Sequence, residues 1–102
     1  MSTDPAELLR RAADRLDALA GRTTPGDWRV SGLLATRPEI VAHTDGGTEH
    51  VAEARAGTSA WIAALSPAVA GPLAAWLRAA ASADPVDPAA ITVARVLLDR
   101  LP

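Results

Sequence analysis

The 102-residue chain has no cysteine, no lysine, no tyrosine and no phenylalanine. The missing cysteine excludes disulfides, thiolate metal sites and a cysteine nucleophile. With lysine absent, all ten basic residues are arginine. Together with the abundance of alanine, this reads as the codon bias of a GC-rich genome, because the arginines do not cluster. The alternative, a surface built for bidentate recognition of carboxylate or phosphate, would need them gathered on one face. Net charge is also lacking. A formal charge of −2 gives no strong field to draw in nucleic acid or an anionic membrane, so neither is an expected partner. The first residues, Met1 to Glu7, contain neither a basic nor an apolar secretory region, and a cytoplasmic location is expected.

What is present is globular. Apolar residues make up 49% and charged residues 22% of the chain, which rules against disorder. The length fits one domain with one modest core, and a single domain over 1–102 is expected.

Hydrophobic spacing predicts a helix over 4–20. Leu8, Ala12, Leu16 and Leu19 form an apolar stripe with Leu9 and Ala13 beside it. Asp4 is placed to cap that helix, Pro5 suits its first turn, and Gly21 suits its end. Glu7–Arg11 and Arg10–Asp14 are spaced as i,i+4 ion pairs. Thr24-Pro25-Gly26-Asp27 then matches a type II turn. Antiparallel strands are expected over 28–54, opening at Trp28 and turning at Asp45-Gly46-Gly47-Thr48. Two registers fit this hairpin. A Gly-Gly loop sets His43 opposite His50, whereas a three-residue loop sets Val41 opposite Val51 and sends the histidines to opposite faces.

From Gly57 to Ala83 the sequence carries one charge, Arg78. A helical pair is expected over 58–81, capped first at Thr58 or Ser59 and again at Ser66-Pro67, with Pro72 forcing a kink or a late start. The stretch is long enough for a membrane span, but Ser66, Pro67, Gly71 and Pro72 interrupt it and its alanines contribute little to insertion. A helix apolar nearly all round is normally buried on several sides. Trp61, Leu65, Val69, Leu73, Trp76 and Leu77 are therefore expected at a core and a subunit interface, with a homodimer favoured. Asp87-Pro88 opens a last helix over 88–100. The fold class is α+β: an amino-terminal helix, a small antiparallel sheet of about three strands, and two or three C-terminal helices packed on one face.

Chemistry is sparse. His43 and His50 with Glu49 would be the residues of a hydrolase or a metal site, yet no further ligand is recognisable. The serines and threonines lack a Gly-x-Ser-x-Gly context, and no phosphate loop or dinucleotide fingerprint occurs. No catalytic residue, metal or cofactor is assigned. A small anionic ligand such as a nucleotide would be met by Arg29, Arg55 and Thr58, with Trp28, His43 and His50 nearby in the sequence.

Thr24-Pro25-Gly26-Asp27-Trp28, a hairpin, and then Ser59-Ala60-Trp61-Ile62-Ala63-Ala64-Leu65 resemble a known pattern. Small proteins of tailed phages and actinobacteria read Thr-Pro-Gly-Pro-Trp, two or three strands, then Asp-Ala-x-x-Ile-Ala-x-Ala. The ead-like accessory proteins of lambdoid phages are among them. The resemblance covers roughly residues 4–80. Asp27 stands in place of the second proline and Thr58 in place of the aspartate. What the resemblance implies is a non-enzymatic accessory protein that modulates a host or phage protein. It transfers no functional residue, only the turn and Trp28 as fold determinants.

Overall fold

A computed structural model describes residues 4–32 and 37–102. The element order is α1 (Pro5–Ala20), β1 (Asp27–Ser31), β2 (Glu39–Thr44), β3 (Gly47–Glu53), α2 (Ala56–Ala64), a 3₁₀ turn (Pro67–Val69), α3 (Ala70–Ala81) and α4 (Pro88–Arg100). The α+β class holds. Residues cluster into two compact units, one of Met1–Arg22 with Ala70–Pro102 and one of Thr23–Val69.

The first unit is three helices, with α1 packed on both α3 and α4. Asp4 caps α1 through its side chain, which accepts from the Ala6 N–H at 3.1 Å. Asp87 does the same for α4, accepting from the Ala89 N–H at 2.9 Å. Each cap satisfies a backbone donor that the first turn leaves open. The core gathers Leu8, Leu9, Ala12 and Ala13 from α1, Ala74, Leu77 and Ala81 from α3, and Ala90 and Ala94 from α4. Six of these nine are alanines, so the helix backbones close on one another and two fully enclosed leucines, Leu9 and Leu77, fill the middle. Leu77 was expected at an interface. It belongs to this core instead, because its side of α3 faces the α1 stripe, and Leu73 lies half-buried against the same cluster.

Pro72 gives the late start that its ring demands. Pro67–Val69 turns as a 3₁₀ helix, and α3 begins only at Ala70. Pro72 thereby falls in the first turn of α3, where a missing N–H costs nothing. Arg78 reaches back to α1 and donates to Asp14 at 3.0 Å and to Asp17 at 2.8 Å. Asp14 is thus taken by Arg78 and not by Arg10, as helical spacing alone suggested. The hydrogen bond to Asp14, then that to Asp17, raises the Arg78 pKa above its ordinary value. Stability from a raised cation pKa is fully present at neutral pH and is lost only in strong alkali.

The second unit is a three-stranded antiparallel sheet in the order β1-β2-β3, with α2 packed on β1 and β2. Trp28 pairs with Ala42 and Val30 with Ile40, which sets these four on the face toward α2. Ile40 and Ala42 are fully buried there. The type II turn before β1 depends on Gly26, whose φ is +112°. The Trp28 Nε1–H donates back across that turn to the Thr24 carbonyl at 2.9 Å. Trp28 is therefore a half-buried fold determinant with its polar atom satisfied.

The β2–β3 hairpin follows neither expected register at its tip. Thr44 pairs with Gly47 and His43 with Thr48, leaving Asp45-Gly46 as the loop. Gly47, not Gly46, takes the left-handed conformation, at φ +132°. A bulge follows, because Val41 pairs with His50 while Ile40 pairs with Ala52, so Val51 is the extra residue. Beyond the bulge the strands continue in the register of a three-residue loop, with Glu39 opposite Glu53. The bulge joins a tip register that neither loop would give to the three-residue-loop register at the base.

Candidate functional site

The two histidines lie on one face of the sheet. His43 faces Thr48 across β3 and Asp27 across β1, and His50 faces Val41. His50 Nδ1 lies 2.5 Å from Glu39 Oε2, and both side chains are about half exposed. Glu49 pairs with Ala42, one position from His50, and so belongs to the opposite face. The trio His43, His50 and Glu49 therefore does not converge. Sequence proximity misled here, because adjacent strand residues point to opposite sides. Among the described residues, no group of three or more His, Asp or Glu side chains is placed to hold a metal ion.

The residues considered for an anionic ligand are also dispersed. Arg29, on the histidine face, is bound through Nε to Asp27 at 2.7 Å, while Trp28 turns to the other face. Arg55 occupies the N-cap position of α2. The cap thus falls three or four residues before the Thr58 or Ser59 expected to provide it. Thr58 is exposed inside its first turn.

Ser59 has a different task. It is fully buried, and its Oγ lies 2.9 Å from the Ala54 carbonyl and 3.2 Å from the Pro38 carbonyl. The Ala54 N–H donates to the same Pro38 carbonyl at 3.3 Å. One hydroxyl thus ties the first turn of α2 to the end of β3 and the start of β2. A buried hydroxyl bond of this kind contributes about 1 kcal/mol net. Sequence pattern could not separate this role from capping, because Ser serves both.

α2 is unusual at its ends and on its outer side. No side chain caps its N-terminus, no acid lies in its first turn and no base in its last. Its exposed positions are Ala56, Gly57, Thr58, Ala60, Trp61 and Ala64, followed by Leu65 at the C-cap. Trp61 is 68% exposed and Leu65 54% exposed, the two most exposed of the large apolar side chains among the described residues. They stand one helical turn apart and form one apolar ridge. In the three-helix unit, Trp76 is 44% exposed on α3 and Val96 is exposed on α4. Trp61, Leu65 and Trp76, expected at a core and a subunit interface, thus lie outside the core. Val69 is half-buried in the 3₁₀ turn. By length and composition alone, Ala56–Ala81 passes as a membrane span, although Pro67–Val69 breaks the α-helix within it.

No family model, characterised protein or solved structure matches the chain.

Proposed function

We propose that the chain is a non-catalytic binding protein, an accessory factor of phage or mobile-element type, that acts by engaging a protein partner. The observation that carries this reading is the exposed Trp61–Leu65 ridge of α2. A scattered single Leu on a surface needs no explanation, but a mostly exposed Trp beside an exposed Leu is the composition of an interface anchor. The uncharged run from Gly57 to Leu77 supports the same reading, since interface centres are depleted of charge. The resemblance to small accessory proteins points the same way.

Co-purification from the native host tests it. A stoichiometric partner should accompany the wild-type chain and be lost from a Trp61→Ser/Leu65→Ser double variant that retains its helical circular dichroism. Recovery of no partner, or of one indifferent to both substitutions, would count against the proposal.

A second reading is sequestration of a small anionic ligand at the uncapped N-terminus of α2. The absence of an acid in its first turn and the exposed Arg55 and Thr58 beside it favour this reading. A thermal-shift panel of nucleotides distinguishes it. Saturation at a hundredfold excess over Kd would stabilise the chain by about 2.7 kcal/mol. A flat panel would remove the reading.

A further inference from the structure

We infer that the α2 ridge receives a second copy of this chain, with the two α2 helices running antiparallel about a two-fold axis at Trp61. This deepens the protein-binding reading above and rests on it.

Three observations select this occupant. The first is electrostatic. α2 carries its helix dipole without an acid at the start, a base at the end or a side-chain cap. An antiparallel copy sets each helix start against the other's end, so the two dipoles offset each other. Arg55, at the N-cap position, then lies toward the carbonyl end of the second helix, which lacks a cation of its own. The pairing thus gives each helix end the cation that it lacks.

The second observation is shape. Gly57 and Leu65 flank Trp61 at one turn on either side. A two-fold axis at Trp61 places the Leu65 of each copy over the Gly57 of the other. Nothing lies within 4 Å of where a Gly57 side chain would stand, so that seat is open. Large residues face small ones, as interdigitated helices require.

The third is neutrality. Gly57, Thr58, Trp61, Ala64 and Leu65 are all uncharged, so the face meets its own image without like-charge repulsion.

Size sets the strength. Trp61 and Leu65 together expose on the order of 200 Å² per copy, so the contact falls short of the roughly 1,600 Å² of a standard stable interface. The dimer is therefore weak and is populated only at high chain concentration.

The absence of cysteine makes the geometry directly testable. The proposed axis sets Thr58 of one copy opposite Ala64 of the other. Single variants Thr58→Cys and Ala64→Cys are made, mixed and oxidised at high chain concentration. The expected result is a disulfide-linked dimer from the mixture, with little linking of either variant alone. Sedimentation of the unmodified chain should shift toward dimer as concentration rises, and Trp61→Ser should abolish the shift while keeping its helical circular dichroism.

Efficient linking of Thr58→Cys to itself would overturn the antiparallel arrangement. A chain that stays monomeric throughout, or a Trp61→Ser variant that dimerises unchanged, would overturn the second copy as occupant. If the monomeric chain still captures a different protein through Trp61, the broader binding reading stands and only this inference falls.

Discussion

Leu77→Ala is expected to lower stability by about 3 kcal/mol, within the range for emptying a well-packed leucine site. The reason lies in the make-up of the three-helix core. Leu9 and Leu77 are its large fully enclosed side chains, and most of its other buried members are alanines. Alanines brought into close contact have no side-chain freedom with which to fill a void. The cavity left by Leu77 would therefore stay largely open, and the cavity cost would add to the lost transfer energy. Against a total stability of about 5–15 kcal/mol, that is a large fraction. Urea denaturation of Leu77→Ala, Leu77→Met and Leu65→Ala would check it. The methionine variant, which conserves volume, should lose under about 1.5 kcal/mol. Leu65→Ala, on the exposed ridge, should change stability little. Equal losses at Leu65 and Leu77 would contradict the assignment of Leu77 to the core.

Gly26→Ala should rival that effect without creating any cavity. At φ +112° an L side chain is strained, at about 1–3 kcal/mol. The added Cβ would also stand 2.7 Å from the His43 carbonyl oxygen and 2.8 Å from Thr44 Cγ2. The first contact is with backbone in the central strand, which cannot rotate away as a side-chain end can. A total loss of about 3 kcal/mol follows, and Tm should fall accordingly. Two other glycines divide the causes. Gly47→Ala meets the same kind of backbone strain at φ +132° but has nothing within 4 Å, so it should lose the strain portion alone. Gly46→Ala has neither a positive φ nor a contact closer than 3.9 Å and should be nearly neutral. The order Gly26, Gly47, Gly46 in falling cost is the outcome to test by thermal unfolding.

Much of the architecture was legible because short-range chemistry agreed with long-range packing. Asp4-Pro5 and Asp87-Pro88 announced α1 and α4, and both aspartates accept the backbone bonds their positions imply. Thr24-Pro25-Gly26-Asp27 announced its turn through the one residue able to adopt the required φ. Where two signals competed, sequence could not arbitrate. Ser59 looked like a cap because a hydroxyl before an apolar run is one, but its partners, Pro38 and Ala54, were brought near only by the sheet. Leu77 and Trp76 are neighbours with equal apolar character, and only the direction of α1 decides that Leu77 is enclosed and Trp76 exposed. The histidine pair was the least legible, because a single bulge at Val51 changes the pairing partway along the strand. Such an insertion leaves no mark in a seven-residue pattern.

The three-helix unit draws on both ends of the sequence, while the sheet unit is one continuous stretch between them. On a ribosome these two arrangements have different histories. α1 emerges first, with Leu8 and Leu9 uncovered, and its partners α3 and α4 lie beyond the whole of Thr23–Val69. At about 5–20 residues per second, α1 waits several seconds for its core, and its apolar stripe is open to other nascent chains for that time. The sheet unit meets no such delay. The charges along α1, Arg10, Arg11, Asp14, Arg15 and Asp17, give the waiting helix a solvated side until α4 arrives.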